Sequence, residues 1–378
     1  MAIQGSNTKN KTSNNRLIYV KNSLTILLIL LLFLISIDLL IKSSASLSFD
    51  LVKNILSITS DPFIGLFIGL LITAMIQSSS TSTSLVVAFV ASGALSLEDA
   101  IPIALGANIG TTITSSIVAL GYIAKKNEFR KAITAATLHD FFNIFLVIIL
   151  LPLELHYGLL SWLSLSISEF FTNGNDLSNS NPIIIGELIS KNFYDKYLLT
   201  TQNRSILVLI VSFFMLFGSL KLFSGFIYNQ LVSKTKERFQ QVVFKKDLTS
   251  FNWGFFSTAL LQSSSVTTSL IVPLVATGKI TAKRAFPFIM GANIGTTITA
   301  FIAALYKSNA ALSLAITHLL FNLFGVILFM PFEKIRNIPL WTATEFGKLT
   351  LKSRIIGFLY FLITFFLLPF TLIYIHQM

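Results

Sequence analysis

Two segments of this chain are copies of one another, and this duplication limits the possible architecture more than any other feature. Gln77 to Thr114 aligns without a gap to Gln262 to Thr299 at a constant offset of 185, with 22 of 38 positions identical. The shared landmarks are Gln-Ser-Ser-Ser at 77–80 and 262–265, and Gly-Ala-Asn-Ile-Gly-Thr-Thr-Ile-Thr at 106–114 and 291–299. Pro102 pairs with Pro287 and Gly93 with Gly278. After a six-residue change of offset the match resumes, Thr-Leu-His-Asp-Phe-Phe-Asn (137–143) facing Ile-Thr-His-Leu-Leu-Phe-Asn (316–322). Leu-Pro-Leu-Glu (151–154) likewise faces Met-Pro-Phe-Glu (330–333). Whatever the first copy folds into, the second must fold into as well.

The copies are built for lipid. Residues 62–97, 100–124, 249–278 and 285–306 contain no Asp, Glu, Lys or Arg. Only 12% of the chain is charged and its mean hydropathy is +0.76, whereas a soluble domain carries about 25% charge. Such runs have no place on a water-facing surface, and a bilayer core is their natural solvent. The net charge of +12 does not point to nucleic acid. Its basic residues sit in short loops between apolar segments, and no nucleic-acid motif accompanies them. With no cysteine in the chain, disulfides and thiolate metal sites are excluded.

Full spans are predicted at 24–42, 100–123, 132–153, 204–227, 285–305, 309–331 and 355–375. The first follows a basic stretch (Lys9, Lys11, Arg16, Lys21) and is long for a signal-peptide core, so it reads as a retained span. Two further apolar stretches, 62–94 and 251–278, are interrupted near their middles by Gln-Ser-Ser-Ser. Each arm falls short of the roughly 20 residues that cross a bilayer, so both are expected to be re-entrant hairpins. With a cytoplasmic N-terminus, segments 1–23, 124–131, 228–250, 279–284 and 332–354 face the cytoplasm and hold 21 of the 28 Lys and Arg residues, as the positive-inside rule requires. Of the other seven, Lys42 and Arg204 stand on the end residues of spans and Lys221 alone lies in a span's interior.

The chain thus divides into a basic N-terminus (1–23), a first copy (24–153), an extracytoplasmic loop (154–203), a second copy (204–331), a cytoplasmic loop (332–354) and a terminal helix (355–378). Three full spans separate the starts of the two copies, and an odd number inverts the second. The expected fold is an all-α integral membrane protein with two inverted-topology repeats. Each repeat would hold a re-entrant helical hairpin and a broken transmembrane helix, with one extra C-terminal span. Inverted repeats with broken helices at mid-membrane are the architecture of secondary transporters.

Polar residues inside lipid are costly unless paired or facing a cavity. Gln77 to Ser84 are eight consecutive polar residues at one hairpin tip, and Gln262 to Ser265 with Thr267, Thr268 and Ser269 repeat the pattern. Hydroxyl and amide oxygens suit an alkali cation rather than a transition metal. A turning backbone frees carbonyls for sodium, and the following half-helix offers N–H donors to an oxyanion. The competing reading is close helix packing by small residues. The same choice holds for Gly106, Gly110, Gly291 and Gly295, while Asn108 and Asn293 can donate and accept at once. His139, Asp140 and His318 could serve proton coupling or bind the two copies together. His139-Asp140 has no nucleophile motif beside it, so the reading is of a non-enzyme. Asp38 is expected near a membrane edge, within reach of water.

The run Gln-Ser-Ser-Ser-Thr-Ser-Thr-Ser, then Pro-Ile-Ala-Leu-Gly-Ala-Asn-Ile-Gly-Thr, resembles the first repeat of the type II sodium–phosphate cotransporter family. Asn-Glu-Phe-Arg-Lys-Ala (127–132) and Leu-His-Asp-Phe-Phe-Asn continue that resemblance, and Gln-Ser-Ser-Ser-Val-Thr-Thr-Ser resembles the second repeat. It covers roughly 60–155 and 250–335. The resemblance implies a plasma-membrane symporter of inorganic phosphate driven by sodium, with no cofactor beyond sodium as coupling ion. By it, phosphate would meet Ser78, Ser79, Ser263 and Ser264, with Asn108 and Asn293 grouped alongside. Sodium would sit among Gln77, Ser80, Thr83, Thr111, Gln262, Ser265, Thr268 and Thr296. Electrogenic members carry an Asp shortly before the Glu-Phe-Arg segment. Lys125 and Lys126 stand at the comparable positions, so the sodium count is left open, as is oligomeric state. Export, symport of another small oxyanion, and a membrane phosphate sensor are the alternative functions.

Overall fold

The computed structural model describes residues 4–47, 60–172, 202–231, 243–305 and 307–376. All regular structure among them is helical. Seven helices are long and apolar enough to cross a membrane: Val20–Ala45, Leu97–Leu120, Lys126–Tyr157, Ser205–Phe226, Ala282–Ala304, Asn309–Phe329 and Ile355–His376. They stand where hydropathy predicts spans, and the chain is a multi-pass membrane protein.

The first copy opens with α1 (Gln4–Ala45). Its hairpin is α2 (Pro62–Ile76) and α3 (Ser79–Ala91). At about 1.5 Å per residue, the 15 residues of α2 rise only about 22 Å, too little to cross a bilayer core of about 30 Å. Asp61 starts α2 by accepting from the Phe63 and Ile64 amides, with Pro62 at the first helical position. Then follow α4 (Leu97–Gly110), α5 (Ile113–Leu120), α6 (Lys126–Tyr157) and α7 (Leu159–Thr172). The second copy runs through α8 (Gln202–Leu231), α9 (Asp247–Leu261), α10 (Ser264–Ser269), α11 (Ile271–Ala276), α12 (Ala282–Ala304), α13 (Asn309–Phe329) and α14 (Glu333–Leu349). The last span is α15 (Ile355–Leu362), a π-helical segment Ile363–Leu367, and α16 (Leu368–His376).

Within each copy the first hairpin arm lies against the following span at backbone contact. A Cβ added at Gly69 would sit 1.9 Å from the Ile103 carbonyl oxygen, and one at Gly254 would sit 2.0 Å from that of Phe288. Gly106 against Leu66 and Gly291 against Phe251 repeat the pair in reverse, at 1.9 and 2.0 Å. Only glycine permits that approach. The 185-residue offset thus survives into tertiary contacts.

Where the copies differ, the causes differ too. In the second copy Pro273 lacks the N–H that would bond to Ser269, and the arm breaks at Leu270 between α10 and α11. Ala88 occupies that place in the first copy, and α3 runs unbroken. The spans behave in the opposite way. The expected break occurs in the first copy, at Thr111–Thr112 between α4 and α5, but α12 is continuous from Ala282 to Ala304. The Gly-Ala-Asn-Ile-Gly-Thr-Thr-Ile-Thr sequence is identical in both copies, so the cause lies outside it, in the flanking residues (Ser115-Ser116 against Ala300-Phe301) and in what packs around the two spans.

Helices also occupy segments read from sequence as loops. In 154–203, Glu154 caps α7, its carboxylate accepting from the Leu160 amide at 2.6 Å and the Ser161 amide at 3.2 Å. Residues 173–201, with the Asn/Ser-rich stretch, lie outside the described residues. In 332–354, α14 lies along α6, where Gly347 fits against Thr134 and the Arg130 carbonyl. Lys283 donates to Glu333 at its start (2.7 Å) and holds that exposed carboxyl below its ordinary range. The copies are joined through a buried aromatic cluster, Phe142 of α6 meeting Phe286 of α12 and Phe329 of α13 edge-on at 5.7 and 5.4 Å.

Asp38 departs from expectation. It is buried and ion-paired with Lys307, in the connection between α12 and α13. Its place near the end of a span was legible, but not the lysine that a distant loop lays over it.

Candidate functional site

Each tip is made by the same two-residue device. Gln77 ends α2 in the left-handed region (φ 59°), and Gln262 ends α9 in the same way (φ 53°). These are the only non-glycine residues with positive φ among those described, a conformation that costs about 1–3 kcal/mol unless its surroundings hold it. Ser78 and Ser263 follow in extended conformation, and their hydroxyls cap the next arm by accepting from the Thr81 and Val266 amides, both at 3.3 Å.

The two tips meet. Ser79 Oγ lies 3.5 Å from Ser264 Oγ, and the bonds around that point come in matched pairs. Ser80 donates to the Gln262 carbonyl at 3.0 Å, and Ser265 to the Gln77 carbonyl at 3.1 Å. Thr111 and Ser265 hydroxyls are 3.0 Å apart, Ser80 and Thr296 3.2 Å. Thr83 donates to the Ser79 carbonyl at 2.7 Å and Thr268 to that of Ser264 at 2.8 Å. The left-handed turns thus free two carbonyls, and each is taken up by a serine of the other copy. Of the fourteen residues singled out from sequence, the twelve in and beside the tips converge here.

Asn108 and Asn293 belong to a second layer. His139 Nε2 donates to Asn293 Oδ1 at 2.7 Å, and His318 Nε2 to Asn108 Oδ1 at 3.0 Å. Asn143 donates to the Asn108 carbonyl at 2.8 Å and accepts from Asn293 Nδ2 at 2.9 Å. All five side chains are buried. Of the two roles open to the histidines, the structure displays the bond between copies. Sequence reasoning passed over Ser115, whose hydroxyl lies 3.2 Å from that of Thr268, and Thr299, which donates to Gln262 Oε1 at 2.5 Å. Their position in a repeated Thr/Ser run was the available signal.

The pairing is not perfect. The first-copy counterparts of Gln262 and Thr299 are Gln77 and Thr114, which do not bond to each other. Gln77 is exposed, and both line a cavity of about 480 Å³ that also touches Ser78, Gln262, Ser263 and Ser265. The cavity continues along the C-terminal half of α8, past Phe217, Lys221 and Gly225. A polar centre built from both copies is therefore approached by open space along one flank. Among the described residues no cluster of His, Asp and Glu could hold a metal ion.

Comparison with known proteins follows the same outline. Residues 32–157 and 213–352 match the family described as Na+/Pi-cotransporter. The sodium-dependent phosphate transport protein 2A of Ovis aries is 34% identical, over 90% of this chain and 65% of its own length. The protein of the same name from Rattus norvegicus is 32% identical over the same shares, and sodium-dependent phosphate transport protein 2B of Homo sapiens 30% identical over 83% and 59%. The chain thus spans less than two-thirds of the length of these relatives. No solved structure matches it. Both tips and both histidine–asparagine pairs fall inside the matched residues, and the chain belongs to the Na+/Pi-cotransporter family.

Proposed function

We propose that this chain carries inorganic phosphate into the cell together with sodium, across the plasma membrane and by alternating access. One observation carries the reading: two strained, hydroxyl-rich tips, one from each copy, meet at Ser79 and Ser264. The curated relatives are named as sodium-dependent phosphate transport proteins, and their sequence likeness extends over both tips.

The chemistry supports it. At 3.5 Å the contact between Ser79 and Ser264 is at the long limit of a hydrogen bond and weak. A tetrahedral oxyanion can replace it with several shorter, charge-assisted bonds from Ser78, Ser79, Ser263 and Ser264. The N-terminus of α3, 13 residues long, adds amide donors at Ser79 and Ser80. Sodium takes neutral oxygens: hydroxyls of Ser80, Thr83, Thr111, Ser265, Thr268 and Thr296, side chains of Gln77 and Gln262, and the carbonyls those glutamines free. Asn108 and Asn293, held by histidines, then position the tips from below instead of touching the anion. With the N-terminus in the cytoplasm the copies run in opposite senses, and the cavity along α8 is the inward route. The matching outward route forms when the copies exchange roles.

Radiolabelled phosphate uptake into proteoliposomes tests this. Accumulation should follow an inward sodium gradient and collapse when potassium replaces sodium. Accumulation indifferent to sodium, or its absence, refutes the reading.

A further inference from the structure

Lys221 lies inside the predicted span 204–227, away from either terminal residue, and it lines the cavity that reaches both tips. The cavity lining contains no Asp or Glu. Among the described residues Lys221 meets no carboxylate, and its closest charge-stabilising contact is the Phe217 ring, with Nζ 5.6 Å from the centroid. Lys221 is exposed and stands six residues before the end of the predicted span 204–227; a cation inside a span is costly unless an anion or water meets it.

The pseudosymmetry sharpens the point. Ser36 of α1 and Ser219 of α8 are both fully buried, and each donates to the carbonyl three residues back, Phe33 at 2.6 Å and Leu216 at 2.8 Å. Aligning these serines places Asp38 opposite Lys221, so the two leading helices carry opposite charges at one position. In the first copy the protein itself supplies the counter-charge, Lys307. In the second it supplies an open cavity. The tips offer hydroxyls and amides but no net positive charge for an oxyanion.

We propose that the Lys221 ammonium is the counter-charge for phosphate in this cavity, holding the anion between the tips and the C-terminal end of α8. This rests on the transport reading above and adds a specificity-determining residue to it. The competing role is that of a lysine extending along α8 to the membrane surface with no part in binding.

The absence of cysteine permits a direct test. Gly225 lies one turn beyond Lys221, lines the cavity, and has open space where a Cβ would stand. In G225C, inorganic phosphate should slow labelling by a small uncharged methanethiosulfonate. In G225C/K221M the half-protecting phosphate concentration should rise about tenfold, the effect of losing one hydrogen bond to a charged group. In G225C/K221R it should stay within about twofold, which also shows that substitution here does not unfold the chain. Equal protection with Met and Lys, or no protection in G225C itself, overturns the proposal. Sodium-driven uptake by the unsubstituted chain separates the two readings. Uptake without protection rejects only the role of Lys221, whereas protection without uptake rejects transport and leaves the anion site standing.

Discussion

Ser79 and Ser264, 185 residues apart in sequence, bring their hydroxyl oxygens to 3.5 Å, and on either side of them Ser80 bonds the Gln262 carbonyl and Ser265 the Gln77 carbonyl. Each arrives at the end of a left-handed glutamine and an extended serine, so a short repeated motif fixes both sides of one contact. Ser79→Leu or Ser264→Leu puts a branched side chain into the space an anion would need. Either should reduce sodium-driven phosphate uptake by about a hundredfold, with the protein still eluting as a single folded species. Because the contact is symmetric, the two losses should be similar.

The histidine–asparagine layer holds the copies together. His139→Ala leaves Asn293 Oδ1 buried without its donor, which should cost about 1–3 kcal/mol. A double-mutant cycle with Asn293→Ala, read by thermal unfolding in detergent, should give a coupling energy of at least about 1 kcal/mol. The mirrored cycle, His318 with Asn108, should match it.

Asp38 and Lys307 form a buried ion pair, so removing one partner strands the other. Lys307→Met alone should destabilise by roughly 3 kcal/mol. Asp38→Asn combined with Lys307→Met should recover most of that loss, because no charge is left uncompensated. Unfolding midpoints of the three variants and the parent decide it; equal losses in single and double variants would show that the charges do not act as a pair.

The close approach of α2 to α4 depends on Gly69 as that of α9 to α12 depends on Gly254. Alanine at either position drives a methyl group into a backbone carbonyl, which no rotamer can relieve. Gly69→Ala and Gly254→Ala should each lower stability by about 3 kcal/mol or more. Gly218→Ala, where a Cβ meets open space, should change it by no more than about 0.5 kcal/mol.

Much of this was legible in the chain. Spans, hairpins and duplication are properties of consecutive residues: hydropathy over a window, an interruption by Gln-Ser-Ser-Ser, an offset that repeats. A bilayer admits few backbone solutions, so local pattern translates almost directly into helices. The residues that gather at the tips were recognisable for the same reason, since a dense polar run in an apolar hairpin has little other use. The amphipathic helices α7 and α14 were not, because their character depends on neighbours, Glu154 as a cap and α6 as a bed.

What the sequence by itself determined was where the long apolar helices fall and which residues turn between the hairpin arms. Only the tertiary structure decided which buried polar group answers which. Lipid requires that Asn293, Asp38 and the Gln77 carbonyl find partners, but it does not specify His139, Lys307 and Ser265, which lie 154, 269 and 188 residues away. The nine identical residues at 106–114 and 291–299 make the same point within one molecule. One copy breaks its helix there and the other does not, so the difference comes from outside those nine residues.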